Sequence, residues 1–122
     1  MGDRAEAGFN QPLTEARFFI MLSLAAEPKH GYGIMKDVRA LSDGRVRLTT
    51  GTLYGAIKRL LEQGLIARMD HEQPRPEDIV PTNRPRKAYA LTHSGRHTLN
   101  AEVSRLQELL STARLRTSDG VA

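Results

Sequence analysis

The sequence has no cysteine and no tryptophan among its 122 residues. Without cysteine the chain can form neither a disulfide framework nor a thiolate metal site, which fits a reducing compartment. It also lacks an apolar run long enough to cross a bilayer, and residues 1–11 lack the apolar stretch of a signal peptide. These absences predict a soluble, cytoplasmic protein with no membrane partner.

The motifs of common enzyme classes are also missing. There is no phosphate loop, and the Gly31-Tyr32-Gly33 segment lacks the preceding strand that a dinucleotide fingerprint needs. His93 and His97 lie four residues apart on a predicted helix, but no third ligand accompanies them, so two solvated histidines are favoured over a metal site. The sequence therefore predicts no enzyme, no metal and no cofactor.

Negative charge is absent from the stretch between Asp43 and Glu62, although the chain carries a net charge of +4. Within it, residues 49–64 have the apolar spacing of a helix that buries one face. The other face combines hydroxyls with cations: Thr52, Tyr54, Lys58 and Arg59. Such a face is typical of a helix lying against phosphates and base edges, and the alternative is an ordinary surface helix with a solvated basic side.

The surrounding pattern predicts a mainly α fold with a small β-hairpin, a winged helix-turn-helix over residues 12–91. Helices are expected at 13–26 and 30–41, with a turn at 42–44 and a short strand or extended segment at 45–48 before the third helix. Two strands, at 65–69 and 86–91, flank a loop at 71–85 that contains four of the six prolines. A ribbon directly after a basic third helix is the wing of this fold.

A last helix is predicted at 92–115, capped by Thr92, with polar, flexible tails at 1–11 and 116–122. Its apolar residues are spaced by 4, 3, 4 and 3, the seam of a two-stranded coiled coil. We expect this seam, with the surplus apolar face of the first helix, to form a homodimer interface. That interface comprises Phe18, Leu22, Leu99, Val103, Leu106, Leu110 and Ala113. The alternative is a helix that folds back on its own domain.

Four motifs in order carry a family resemblance: H-G-Y-G-I at 30–34, G-T-L-Y at 51–54, R-L-L-E-Q-G-L-I at 59–66 and R-K-A-Y-A-L-T at 86–92. Together they resemble the PadR family of bacterial transcriptional regulators, and the short last helix resembles its small subgroup. The resemblance implies a homodimeric repressor of a palindromic operator near its own gene, released by a small-molecule effector. The chain departs from the family at Ala88, usually aromatic, and in its long wing loop. It also lacks the tryptophan against which some members hold planar drugs.

Carried over to this sequence, the resemblance places Tyr32 on a backbone phosphate, and it places Thr50, Gly51, Thr52 and Tyr54 at the groove. The predicted DNA contacts are Tyr32, Arg45, Thr50, Gly51, Thr52, Tyr54, Lys58, Arg59, Arg84, Arg86 and Lys87. Lysines and arginines would supply salt-dependent affinity, and Thr52, Tyr54 or Arg45 would supply base discrimination. When bound, the protein would be nucleoid-associated. The alternatives are a winged-helix adaptor that binds protein, and a repressor of another winged-helix family such as the MarR type.

Overall fold

The computed structural model describes residues 12–70 and 87–118, so the predicted N-terminal tail and the wing loop lie outside the described residues. In chain order the elements are α1 Glu15–Ala26, β1 Lys29–His30, α2 Gly31–Leu41, α3 Thr50–Glu62, β2 Ile66–Asp70, β3 Lys87–Leu91 and α4 His93–Ser118. Helices α1, α2 and α3 form the predicted winged helix-turn-helix together with the β2–β3 ribbon.

Three of the helices begin at threonine N-caps: Thr14 before α1, Thr49 before α3 and Thr92 before α4. Each hydroxyl accepts a hydrogen bond from the amide three residues further on, at 3.2, 3.1 and 2.9 Å respectively. A side-chain acceptor at this position satisfies an amide that the helix itself leaves without a partner. Because Thr14 provides the cap, α1 begins at Glu15, two residues later than predicted.

The link between α2 and α3 begins with the predicted turn. Asp43 and Gly44 both have positive φ, 54° and 79°, and the Gly44 amide donates to the Arg39 carbonyl at 2.8 Å. The Ser42 hydroxyl then accepts from the Val46 amide at 2.9 Å. Residues 46–49 have no regular secondary structure, so this segment is an extended lead-in and not a strand.

The sheet has three antiparallel strands in the order β1-β3-β2, where two were predicted. Lys29 of β1 is opposite Tyr89, and β2 pairs with β3 from Ile66 opposite Leu91 onward. β1 was missed because two residues cannot show an alternating pattern. It places the start of α2 directly beside the wing strand β3.

One hydrophobic core joins the four helices to the sheet. Its buried members are Ile20, Met21, Leu24, Ile34, Val38, Leu48, Leu53, Ile57, Leu60, Leu65, Ile66, Tyr89 and Leu99. The predicted apolar stripes of α2 and α3 therefore face inward, with one exception. The apolar Leu41, the last residue of α2, is 48% exposed.

The first turns of α4 are fixed to the domain. The Thr92 amide donates to the Leu65 carbonyl at 3.1 Å, and its hydroxyl donates to the Gly64 carbonyl at 2.7 Å. Further along, the buried Glu102 carboxylate accepts from the Leu13 amide at 3.3 Å. Hydrogen bonds at 2.8 and 2.7 Å from Arg105 hold the pKa of Glu102 below its usual range.

The distal part of α4 extends away from the domain. Every residue from Leu106 to Ser118 is exposed, whereas Gly95, Leu99 and Glu102 are buried. The helix also continues past Leu115, so the predicted tail at 116–118 is wrong, since no helix-breaking residue occurs there; residues 119–122 lie outside the described ranges. None of the described helices combines the length and apolar character needed to span a membrane.

Candidate nucleic-acid interface

The outer face of α3 carries most of the predicted DNA contacts. Leu53, Ile57 and Leu60 bury the inner face in the core. The exposed residues of the outer face are Thr50, Gly51, Thr52, Tyr54, Gly55, Lys58 and Arg59. The structure thus places all the α3 residues singled out from the sequence on the solvent side of the helix.

Two glycines leave part of this face without side chains. A Cβ atom added at Gly51 or at Gly55 would meet nothing within 4 Å. The two residues lie one helical turn apart, so together they expose a strip of α3 backbone that a duplex can approach closely. Gly55 was not among the predicted contacts, although its spacing of four from Gly51 is a signal that could have indicated it.

The three threonines at the start of α3, Thr49, Thr50 and Thr52, have two different roles. The Thr49 hydroxyl accepts from the Thr52 amide at 3.1 Å and donates to the Thr52 hydroxyl at 2.9 Å. Because Thr52 accepts in the second bond, its own hydroxyl hydrogen stays available for an outside acceptor. Thr49 therefore serves as the helix cap, and Thr50 and Thr52 present hydroxyls to solvent.

Tyr54 of α3 lies close to both the start of α2 and the wing strand β3. Its side chain is 46% exposed, and the remainder lies over Gly31 at the start of α2. Burial raises the pKa of the Tyr89 phenol on β3, and the neighbouring Tyr54 raises it further. The predicted groove residue is thus also a packing residue between three elements.

The first two turns of α2 carry an exposed aromatic side chain and a cation. Tyr32 is 65% exposed, and the Lys36 ammonium lies 5.6 Å from its ring centroid. The free amides at a helix start favour a nearby anion such as a phosphate. Lys36 was missed from the sequence, although its spacing of four from Tyr32 on one helix face could have identified it.

Arg45 lies within the acid-free stretch of sequence, yet the fold brings an acid to it. Glu15 of α1 forms an ion pair with Arg45, and both side chains are exposed. The hydrogen bond from Arg45 lowers the pKa of Glu15. An exposed ion pair of this kind contributes little stability, so a phosphate can compete with Glu15 for the guanidinium. Sequence reasoning missed this neighbour because Glu15 lies 30 positions away.

The wing contributes one described cation of the three predicted. Lys87 is exposed at the start of β3. Arg84 and Arg86 lie outside the described residues. The exposed position of Lys87 is thus compatible with the predicted contact with DNA.

The distal half of α4 presents an uncovered apolar surface. Leu106 is 38% exposed and Leu110 is 51% exposed, and Ala113 is also exposed; Val103, Phe18 and Leu22 are partly buried. Leu109, which was not predicted, adds a side chain that is 53% exposed.

Leu99 is a correction to the predicted interface. Only 4% of the residue is exposed, and it belongs to the core of its own chain. Its side chain therefore has almost no surface left for a partner. The spacing placed Leu99 in the seam because a core position and an interface position repeat with the same helical period.

In residues 12–70 and 87–118, no group of three or more His, Asp or Glu side chains is arranged to hold a metal ion. His93 and His97 are both exposed on α4.

Comparison with known proteins decides the family. Residues 20–101 match the model of the transcriptional regulator PadR-like family, which is more than half of the chain. The chain belongs to this PadR-like family. The match agrees with the four motifs, and it confirms the predicted class of transcriptional regulator rather than enzyme.

Solved structures of similar proteins have the same fold as this chain. A PadR family transcription regulator from Clostridium difficile superposes with a TM-score of 0.66 at 21% identity, covering 85% of this chain and 98% of that one. Bacillus subtilis PadR in complex with operator DNA superposes with a TM-score of 0.58 at 22% identity, covering 71% and 45%. At these identities the likeness shows the fold.

One relative found by sequence is much longer than this chain. An uncharacterized 37.1 kDa protein in transposon TN4556 of Streptomyces fradiae is 32% identical over 115 residues. The match covers 88% of this chain and 33% of that protein. The chain therefore spans about a third of the length of the curated relative that it matches.

Proposed function

We propose that the protein is a homodimeric DNA-binding regulator that represses its own or a nearby promoter at a pseudo-palindromic operator. Release by a small-molecule effector of unknown identity is part of this proposal, and so is a location with the DNA in the cytoplasm. The observation that carries it is the outer face of α3, where hydroxyls, cations and an exposed backbone strip lie together.

The chemistry of that face suits a duplex better than a protein surface. Lys58 and Arg59 are exposed cations at the far end of α3, and Thr50 and Thr52 offer hydroxyls at its start. Cations contact phosphates and give affinity that falls with salt, whereas hydroxyls contact either bases or phosphates. Tyr32 and Lys36 extend the same chemistry to the start of α2. That a Bacillus subtilis relative was solved with operator DNA supports this proposal.

The dimer rests on the exposed leucines of α4. Leu106, Leu109 and Leu110 form an apolar surface on a helix that leaves its domain. Two copies packed through this surface would bury it and place two α3 helices on one side of a duplex. Half-sites about 34 Å apart, or a multiple of that distance, would then match the two-fold symmetry.

Fluorescence anisotropy tests the proposal directly. The protein is titrated against DNA from upstream of its own gene and against a scrambled copy, at two salt concentrations. We expect tight, salt-sensitive binding to the first and weaker binding to the second. Equal affinity for both duplexes would indicate a target elsewhere. That result would then be followed by selection from a random-sequence library. No binding to any duplex would contradict the proposal and favour the protein-adaptor alternative.

A double variant tests the role of α3. Thr52→Ala combined with Tyr54→Ala should remove the preference for the specific duplex, since each good base contact is worth about 1–3 kcal/mol. Thr112→Ala, on the exposed distal part of α4, is the matched control and should bind as the wild type does. A double variant that retains the wild-type preference would exclude these two side chains from recognition.

A further inference from the structure

We propose that Gly31 is a positioning residue for DNA recognition, because it leaves the space in which Tyr54 lies against α2. The inference rests on the proposed DNA-binding function. A Cβ atom at Gly31 would overlap the Tyr54 hydroxyl oxygen and lie 3.0 Å from Cζ of the same ring. Only a hydrogen atom fits between the helix backbone and the ring.

Space, and not backbone conformation, is what requires glycine here. The described glycines with positive φ are Gly44 and Gly64, so the Gly31 backbone would accept alanine. Alanine also has the higher helix propensity, so a purely local effect of Gly31→Ala would favour the fold. The contact with Tyr54 is therefore the term that opposes this substitution.

The obstructing atoms belong to a side chain that can move. Tyr54 is 46% exposed, so its ring can rotate into solvent when a methyl group occupies its site. Gly31→Ala should thus leave the domain folded and displace the ring and hydroxyl of Tyr54. Since Tyr54 lies on the outer side of α3 beside Thr50, Lys58 and Gly55, its displacement changes the surface that meets DNA.

The position of the Tyr54 ring against Gly31 is first tested without DNA. The chain has three tyrosines, so ring-labelled [13C]tyrosine gives few NMR signals, and Tyr54→Phe identifies the one from Tyr54. Gly31→Ala should shift that signal. Gly33→Ala is the matched control on the same helix, because its Cβ would meet only Lys29 carbons at 3.7 Å or more. A Tyr54 signal that stays at its wild-type position in Gly31→Ala would overturn the inference.

The consequence for recognition is tested with a duplex that the wild-type protein selects from a random-sequence library. Gly31→Ala should weaken binding to this duplex by about tenfold, the size of one good contact. Gly33→Ala should bind as the wild type does.

The same duplex separates a positioning role from a structural one. In a Tyr54→Phe background, where the overlapping hydroxyl is absent and only the tight contact with Cζ remains, Gly31→Ala should have a clearly smaller effect. An equal loss in both backgrounds, or no loss in either, would overturn the inference. If the wild type enriches no duplex, the proposed function fails and this inference fails with it. If the wild type does enrich a duplex but the NMR signal of Tyr54 is unchanged in Gly31→Ala, only the role of Gly31 fails.

Discussion

Gly95 lies in the first turn of α4, against the carbonyl group of Leu65. A Cβ atom at this position would overlap the Leu65 carbonyl oxygen and lie 2.9 Å from its carbon. That carbonyl accepts from the Thr92 amide at 3.1 Å, and the adjacent Gly64 carbonyl accepts from the Thr92 hydroxyl at 2.7 Å. Unlike the side chain opposite Gly31, these are backbone atoms, so they can move only if the junction opens.

The size of the effect of Gly95→Ala follows from three contributions. Forcing a methyl group into a packed site costs about 1–3 kcal/mol. Each hydrogen bond lost as the junction opens costs about 1 kcal/mol, and the higher helix propensity of alanine returns about 1 kcal/mol. With both hydrogen bonds of Thr92 lost, the free energy of unfolding should fall by about 2–4 kcal/mol. For a domain of this size that lowers the melting temperature by about 10–20 °C.

Urea unfolding followed by circular dichroism measures this difference. All samples need the same chain concentration, because self-association would shift the midpoint. Gly51→Ala is the control, since its added Cβ meets nothing within 4 Å, and it should be as stable as the wild type or more so. If Gly95→Ala unfolds at the wild-type midpoint, the close contact with Leu65 does not constrain the junction and the reasoning is wrong.

Three further predictions concern other parts of the molecule. Leu106→Glu should give monomers by light scattering, while Leu115→Glu, outside the predicted seam, should not; a Leu106→Glu dimer of wild-type stability would exclude the seam. Ser23→Ala should raise the free energy of unfolding by about 1 kcal/mol, because the described structure offers no hydrogen-bond partner to its buried hydroxyl; urea unfolding checks this, and a loss of stability would contradict it. Because the hydrogen bond from Arg105 lowers the pKa of Glu102, the ionised Glu102 carboxylate stabilises the folded state at pH values above the pKa of Glu102 in the unfolded chain. This contribution to the free energy of unfolding is lost as the pH falls below about 4.3. Wild type should then lose more stability on acidification than Glu102→Gln, and parallel pH profiles would refute this.

Features that depend on neighbours in sequence were predictable. The turn at 42–44, the cap at Thr92 and the two faces of α3 all follow from residues within one or two helical turns. Their signals are local: glycine where φ is positive, a hydroxyl before a helix, and an apolar period of 3.6 residues. The motifs of the family added proposed DNA contacts at Tyr32 and Tyr54, which stay predictions.

Features that depend on distant residues were not predictable. The pairing of β1 with β3 joins residues about 60 positions apart, and two residues carry no period. Leu99 and Leu106 are one heptad apart and occupy equivalent positions in the predicted seam, and only the fold shows that one lies in the core and the other is exposed. The Glu15–Arg45 ion pair likewise required the packing of α1 beside the helix-turn-helix.

The attachment of α4 at a single end gives it the geometry of a lever. The core position of Leu99 and the bond between Glu102 and Leu13 hold the first part of the helix, so the free arm is the exposed segment 106–118. At about 1.5 Å per residue this arm is roughly 20 Å long, and a tilt of about 10° at its base would move the far end by about 3.4 Å, roughly one base-pair step. If two copies join through the distal leucines, a small bend just beyond Glu102 is therefore enough to change the spacing of the two α3 helices by a distance that DNA would register.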